Sequence, residues 1–331
     1  MTRAAMGLLA IGVLLFVGVL VSQGLAAVFA TLALAGWGLL ALALFHLLPL
    51  VIDAAAIDVL LAARRASMLD AVVARWVGES ASSLMPAGQI GGPVLMVRKL
   101  SQRGAPAAEA AAAITVSATV QTFALLLFAL MGAVLLGLRA RHTAPESASA
   151  TPILVASGVL GLCVGSFYLL QRRGLFGKMM RVALRWGGKR DDARMLNHAD
   201  AIDAAVNTTY QRTLPVTASF GLSLIGWMVG TGEVWLILRL FGHEVGWTDA
   251  LVLESLGQAI RGAGFAIPGS LGVQEGGYLL LASLTGLRPD VALALSLAKR
   301  ARELLLAIPG LAYLHFSDRA FRRRAAAAAV R

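Results

Sequence analysis

The stretch Ala266-Ile267-Pro268-Gly269-Ser270-Leu271-Gly272-Val273-Gln274-Glu275-Gly276-Gly277 decides how the chain folds. Four glycines and one proline in twelve residues break a helix, because glycine frees the backbone, while proline lacks an amide hydrogen and clashes with the preceding turn. Apolar sequence flanks the break on both sides, which puts it at membrane depth. There, irregular backbone survives only when buried in protein or facing a wet cavity. A related stretch occurs earlier, Pro86-Ala87-Gly88-Gln89-Ile90-Gly91-Gly92, again with a glutamine and a closing glycine pair. Two breaks of one kind point to two halves.

The composition sets the class. Of 331 residues, 58% are hydrophobic and only 14% charged, with a mean hydropathy of +0.76, too apolar for a water-soluble domain. The chain reads as an all-α integral membrane protein. Apolar runs at 4–22, 31–62, 107–138, 152–171, 214–241 and 289–316 reach or exceed the ~20 residues a helix needs to cross hydrocarbon. The first run resembles a signal peptide, but without a soluble domain to export it reads as a retained helix. The formal charge of +11 comes from basic residues beside apolar segments, the pattern of cytoplasmic membrane loops, so no nucleic-acid partner is expected. Cys163, the single cysteine, allows no internal disulfide and reads as packing.

Charge also gives the orientation. The loop 172–194 carries Arg172, Arg173, Lys178, Arg181, Arg185, Lys189, Arg190 and Arg194 against Asp191 and Asp192, which places it in the cytoplasm. Span 214–241 then exits, and span 289–316 returns to a tail carrying Arg319, Arg322, Arg323 and Arg324. Both termini are cytoplasmic in this scheme. Residues 67–103 begin and end on the inner side and re-enter around Pro86, whereas residues 246–288 begin and end outside and re-enter around Pro268. Pro106 follows Pro86 by 20 residues and Pro289 follows Pro268 by 21, and each opens an alanine-rich span as suits a first helical turn.

The expected architecture is six transmembrane helices plus two re-entrant helical hairpins in an inverted-topology repeat, of the kind that typifies secondary transporters. Its parts are a first repeat over 1–150, a second over 151–317 and a basic cytoplasmic tail over 318–331. The competing explanation is coincidence between two glycine-rich loops. Residues 172–213 form an elbow between the halves, in which 175–186 has the spacing of an interfacial helix. Residues 139–151 read as an exterior loop.

Ionisable residues at membrane depth cost ~2.5–3.5 kcal/mol each on insertion scales, so each is a functional candidate with a partner to find. In the first half these are Asp53, Asp58, Glu79 and Arg98, with Gln89 and Gln121 as uncharged polar groups. In the second they are Glu254, Arg261, Glu275, Arg300, Arg302 and Glu303, with Glu233 in span 214–241. The functional reading is a polar cavity where the hairpin tips meet, with arginines available to a phosphate or other polar head group. The structural reading pairs Arg261 with Glu254 or Glu275, and Arg300 with Glu303, to pin the hairpin. For Asp58 and Arg98, near the cytoplasmic ends, a solvated position or snorkelling is favoured. The candidate substrate-binding set is Glu275, Arg261, Glu254, Gln274, Pro268, Glu79, Gln89, Arg98, Gln121, Asp53, Arg300 and Glu303. Glu275 and Arg261 head it as a pair across the break, with Glu275 also placed to face the N-terminal donors of a helix restarting at Gly276-Gly277.

Enzyme signatures are absent. The five histidines, His46, His142, His198, His243 and His315, lack the spacing that puts two metal ligands on one helix face, and there is no P-loop, dinucleotide fingerprint or nucleophile elbow. Neither a cofactor nor a metal is expected, and transport would be passive or ion-coupled.

These motifs resemble the lysylphosphatidylglycerol synthase transmembrane, or flippase-like, family of bacterial membrane proteins. The resemblance rests on Pro86-Ala87-Gly88-Gln89-Ile90-Gly91-Gly92 with Arg98 downstream, and more strongly on Pro268-Gly269-Ser270-Leu271-Gly272-Val273-Gln274-Glu275, which matches P-G-G-x-G-x-x-E with Ser270 replacing one glycine. It covers nearly the whole chain. Where the family carries charge in the first-half span, this sequence has Ser117-Ala118-Thr119-Val120-Gln121, and that variant resembles the branch associated with hopanoid biosynthesis. The family's soluble aminoacyltransferase domain has no room after the basic tail, so lysyl-lipid synthesis is not expected. The resemblance implies translocation or trafficking of a hopanoid or phospholipid in the inner membrane. Two alternatives stand beside transport: an enzyme modifying a lipid head group with Glu79, Glu254 or Glu275 as acid or base, and a non-transporting partner of lipid-biosynthetic enzymes. A homo-oligomer is open. The topology is tested by single cysteines in a Cys163→Ser background: Val245→Cys is expected to label only from outside and Arg190→Cys only from the cytoplasm, and the reverse pattern refutes it.

Overall fold

The structure, a computed structural model, describes residues 30, 33–62, 65–84, 88–143, 193–264 and 267–329, with isolated positions between 158 and 178. The expected span 4–22, most of span 152–171 and of the interfacial segment 175–186, Cys163, Pro86 and the side chain of Gln89 lie outside the described residues. Ten α-helices and no strand occur among the described residues. The protein is all-α, as its composition requires.

Helices α1 (Gly38–Phe45) and α2 (Leu47–Asp58) meet at His46, which keeps helical angles of φ −63° and ψ −17°. They run on as one apolar segment, Gly38–Asp58, of 21 residues. Helices α3 (Met68–Leu84) and α4 (Gly88–Gln102) form the first hairpin. Helix α5 (Ala107–Thr143) starts directly after Pro106. In the second half, α6 (Ala193–Gln211) and α7 (Thr213–Leu240) lead to the second hairpin, made of α8 (Trp247–Ala263), a 3-10 turn at Pro268–Ser270, and α9 (Val273–Thr285). Helix α10 (Pro289–Ala329) closes the chain. Pro289 stands at its start, where a missing amide hydrogen costs nothing.

Three described helices are long and apolar enough to cross a membrane: Gly38–Asp58, Ala107–Leu138 and Thr213–Leu240. They match the expected spans 31–62, 107–138 and 214–241. Helix α10 carries the expected span 289–316 together with its charges, and is not among those three. It has the length, at 41 residues, but places Lys299, Arg300, Arg302 and Glu303 within one turn and a half. The outer surface is apolar: Leu127, Leu130 and Val134 form an exposed stripe on α5, and Leu280 and Leu284 another on α9, at the i, i+3, i+4 spacing of one helix face. Such patches mark contact with lipid in a protein of this composition.

Two cores flank the middle of the molecule. The first-half core joins Ile57, Leu60, Ala74, Leu100, Ile114 and Val116, with Val206 from α6. The second-half core joins Ile237, Leu238, Leu253, Tyr278, Leu281 and Leu295, with Leu42 from α1. Helix α4 is tied to the C-terminal part of α10: Lys99 Nζ donates to Ser317 Oγ at 2.7 Å and to Asp318 Oδ1 at 2.9 Å.

Both hairpins are zipped by glycine, and in the same way. Each closes on a glycine pair whose first member faces open space and whose second meets the opposite arm. A methyl group at Gly91 or Gly276 would touch nothing within 4 Å. At Gly92 it would lie 2.6 Å from the Gly78 carbonyl oxygen, and at Gly277 2.7 Å from Ile260 Cγ2. The contacts Gly78–Met96 and Ser82–Gly92 in one hairpin, and Gly257–Tyr278 and Gly264–Val273 in the other, run in opposite sequence directions, so the arms are antiparallel. The tips come together: a side chain at Gly269 would lie 3.9 Å from the Ser83 carbonyl oxygen. Substituting Gly92 with alanine is expected to cost about 1–3 kcal/mol, because backbone cannot yield as a side chain can. Gly91→Ala serves as the control with no loss, and equal thermal stability of the two variants would contradict this packing.

Candidate functional site

A cavity of about 420 Å³ lies between the halves, lined from α2, α3, α4, α5, α7, α8 and α10. Its walls carry the ionisable groups that an apolar surrounding makes costly. On the first-half side, Arg75 of α3 donates to Asp53 of α2 at 2.6 Å, and Gln121 of α5 donates to the same Asp53 oxygen at 3.0 Å. Glu79 lies one helical turn beyond Arg75, with 4.0 Å between Nε and Oε2. Its other oxygen is 3.0 Å from His46 Nε2. The second ring nitrogen, Nδ1, lies 2.9 Å from Glu233 Oε2 of α7. One imidazole therefore bridges a carboxylate from each half.

Helix α10 supplies the rest. Successive residues turn about 100°, so Lys299, Arg300, Arg302 and Glu303 fan over roughly 160° of its circumference and together reach α7, α8 and α9. Lys299 pairs with Glu254 of α8, whose other oxygen accepts from Gln258 at 2.8 Å. Arg302 Nη1 donates to Glu233 at 2.9 Å, and Nη2 to Glu303 at 3.3 Å. Glu303 also pairs with Arg261 of α8. Arg302 Nη1 stands against His46 Nδ1 as well. Arg300 turns toward the broken stretch: Nε donates to Glu275 at 2.6 Å and Nη1 to the Gly269 carbonyl at 3.1 Å.

The broken stretch explains why Glu275 is placed there. Gly269, Ser270 and Gly272 all have left-handed backbone, with φ of 64°, 48° and 78°. Glycine adopts this freely. Ser270, the residue that departs from the family pattern, holds the conformation while its hydroxyl donates to the Arg261 carbonyl at 3.1 Å. The helix restarts at Val273, three residues before the Gly276-Gly277 start expected from sequence. Glu275 is thereby the third residue of α9, and its carboxylate accepts the Gly272 amide hydrogen at 2.8 Å, the second half of a capping box. Ser296 donates to its other oxygen at 3.0 Å. Gln274, also buried, donates to Ser296 at 2.8 Å.

The expected residues therefore separate into two groups. Asp53, Glu79, Gln121, Glu254, Arg261 and Glu303 line the cavity together. Glu275, Gln274 and Arg300 do not line it; they hold the second hairpin, with Glu275 0% exposed. The expected pair of Arg261 with Glu275 or Glu254 is not formed, nor is Arg300 with Glu303. Arg261 faces α10 and pairs with Glu303, while Arg300 pairs with Glu275. The reason is the path of α10, which runs past both hairpin arms and inserts its own charges between residues of α8 and α9. Arg98 lies outside the cavity, with its side chain 40% exposed and 3.1 Å from Asp318, in keeping with the solvated reading. Pro268 opens the 3-10 turn, and the Gln89 side chain is outside the described residues.

Sequence reasoning passed over His46, Arg75 and Lys299. His46 was discounted because it lacks metal spacing, yet a lone imidazole inside Leu44-Phe45-His46-Leu47-Leu48 carried the same signal as an intramembrane acid. Six carboxylates, Asp53, Glu79, Glu233, Glu254, Glu275 and Glu303, face five permanent cations, Arg75, Arg261, Lys299, Arg300 and Arg302. An imidazolium at His46 would balance them. Among the described residues no set of three His, Cys, Asp or Glu side chains is placed to hold a metal ion.

Residues 7–310 match the family described as the lysylphosphatidylglycerol synthase TM region. The chain belongs to this family. No curated protein and no solved structure matches it. The family is one of membrane proteins in lipid head-group metabolism or flipping, and the apolar helices embed this member in a membrane. For the buried ion pair that holds the hairpin, Arg300→Met is expected to destabilise by about 3–5 kcal/mol, since it strands a buried carboxylate. Adding Glu275→Gln is expected to recover most of that loss, and a double variant no more stable than the single would show that Arg300 acts through the Gly269 carbonyl instead.

Proposed function

We propose that the protein moves or traffics a polar-headed lipid, a hopanoid or a phospholipid, across the bacterial inner membrane. Both termini are cytoplasmic in this reading, and the two hairpins re-enter from opposite sides as an inverted repeat. The observation that carries the proposal is the charged cavity between the hairpin-bearing halves. An apolar protein does not bury so many ionisable groups around open space without use for them. The matching glycine pairs of the two hairpins support the repeat, because one packing device at the same place in each hairpin fits duplication better than chance.

The electrostatics favour one kind of head group. Each arginine at the cavity already faces a carboxylate, so the site is not a cationic cradle for a bare phosphate. Three polar atoms on its lining residues, Arg75 Nε, Arg302 Nε and Glu233 Oε1, have no hydrogen-bond partner. Two donors and one acceptor left over suit a zwitterionic head group or a polyol, which offers both kinds of partner. A buried polar atom without a partner costs about 1–3 kcal/mol, a penalty that such a head group relieves. The acyl or hopane body stays in lipid, along the apolar outer faces of the helices.

Reconstitution tests this. Fluorescently labelled phosphatidylethanolamine, phosphatidylglycerol and a polyol hopanoid are placed in liposomes, and the fraction accessible to an external quencher is followed with time. Wild-type protein is expected to speed crossing, with the zwitterionic or polyol probe ahead of the anionic one. Ala118→Trp fills the cavity from an exposed position on its lining. It is expected to change stability by no more than about 0.5 kcal/mol and to return crossing to the rate of empty liposomes. No crossing of any probe, under conditions in which another family member works, refutes the proposal. Changed lipid chemistry with unchanged leaflet distribution would favour head-group modification instead.

A further inference from the structure

We infer that His46 is an exchangeable proton-binding site at the centre of the cavity, and that occupancy by a proton is coupled to the occupant of that cavity. The geometry presents two complete hydrogen-bond arrangements for one ring. In the first, Nε2–H donates to Glu79 and Nδ1–H donates to Glu233, whose oxygens lie 3.0 and 2.9 Å away. This requires an imidazolium, because a neutral ring has one N–H and would set a lone pair against a carboxylate oxygen. In the second, Nε2–H still donates to Glu79, and a neutral Nδ1 offers its lone pair to Arg302, whose Nη1 stands against the ring and lies 3.1 Å from Nε2 as well. This requires the neutral ring. Arg302 has Glu233 and Glu303 as alternative acceptors, so it can release Nδ1 without losing its partners.

Loading adds a proton from cavity water to Nδ1, breaks the Arg302–Nδ1 contact and makes the Nδ1–H bond to Glu233. Release reverses these changes and returns the proton to water. The charged groups facing the ring are Glu79 and Arg75 on α3, Glu233 on α7, and Arg302 and Glu303 on α10, the carboxylates favouring the added charge and the arginines opposing it, while α5 brings the uncharged Gln121 to Asp53. The proton also supplies the positive charge that the carboxylate excess calls for. Because the ring touches elements of both halves, its state alters how the first hairpin, α7 and α10 are joined. A head group that competes for Glu233 or Arg302 therefore acts on the same linkage.

The proton site itself does not depend on the transport reading; its coupling does, and two measurements separate them. In the full chain labelled with 15N-histidine and reconstituted in liposomes, the His46 signals are assigned by their loss in His46→Gln. They are expected to pass from imidazolium at about pH 5 to the Nε2–H neutral ring at about pH 8, the window in which histidine titrates. A ring that stays neutral throughout, or that stays charged throughout, overturns the proton site. The second measurement imposes a pH gradient on labelled phosphatidylethanolamine crossing. With one proton per lipid, each unit of gradient is expected to shift the steady-state leaflet ratio about tenfold. His46→Gln is expected to abolish the shift whatever its own crossing rate, and a shift that survives this substitution overturns the coupling. A wild type that moves no probe refutes the transport reading, and the histidine titration then still decides the proton site.

Discussion

The structure depends on pairing charge inside an apolar body. A carboxylate or guanidinium taken out of water loses several kcal/mol of hydration, and only a close opposite charge with further hydrogen bonds offsets this. Helix α10 carries much of that burden, because four consecutive or near-consecutive charges at Lys299, Arg300, Arg302 and Glu303 reach α7, α8 and α9 separately. The pairs fix where the second hairpin sits against the last helix. They do so with direction, which apolar packing between membrane helices lacks.

The broken hairpins solve a different problem. Backbone at the break loses its helical partners, and every free amide or carbonyl must find another. Around Pro268 the structure answers group by group: Glu275 takes the Gly272 amide, Arg300 takes the Gly269 carbonyl, and the Ser270 hydroxyl takes the Arg261 carbonyl. One residue of each closing glycine pair then lets the returning arm approach its partner. The result is a turn whose backbone groups are bonded and whose tip meets the other hairpin at Ser83 and Gly269.

This division of labour bears on function. The buried residues Glu275, Gln274 and Arg300 are structural, whereas Asp53, Glu79, Glu233, Arg261 and Arg302 are the cavity wall, and His46 stands where the two halves touch. A site made of matched charges, with few groups left over, has low affinity for a bare ion and is sensitive to a single added proton. Those properties suit the proposed path, which binds a polar head group and then lets it go.

Sequence by itself determined the class, the breaks and the inventory. The hydropathy of whole segments, the helix-breaking chemistry of Pro268 and Gly269, and the cost of burying Glu79 or Arg261 are local properties, legible wherever those residues stand. The glycine pairs and the final charged helix were equally visible as residues. Which charge meets which was not, because partnership depends on the neighbour each helix face acquires. Arg261 and Glu275 looked like a pair across the break at short sequence distance, yet α10 intervenes and takes one partner from each. His46 shows the same limit. Its two carboxylates lie 33 and 187 residues away in the chain, and only the packing of α3 and α7 against the segment formed by α1 and α2 brings them to one ring.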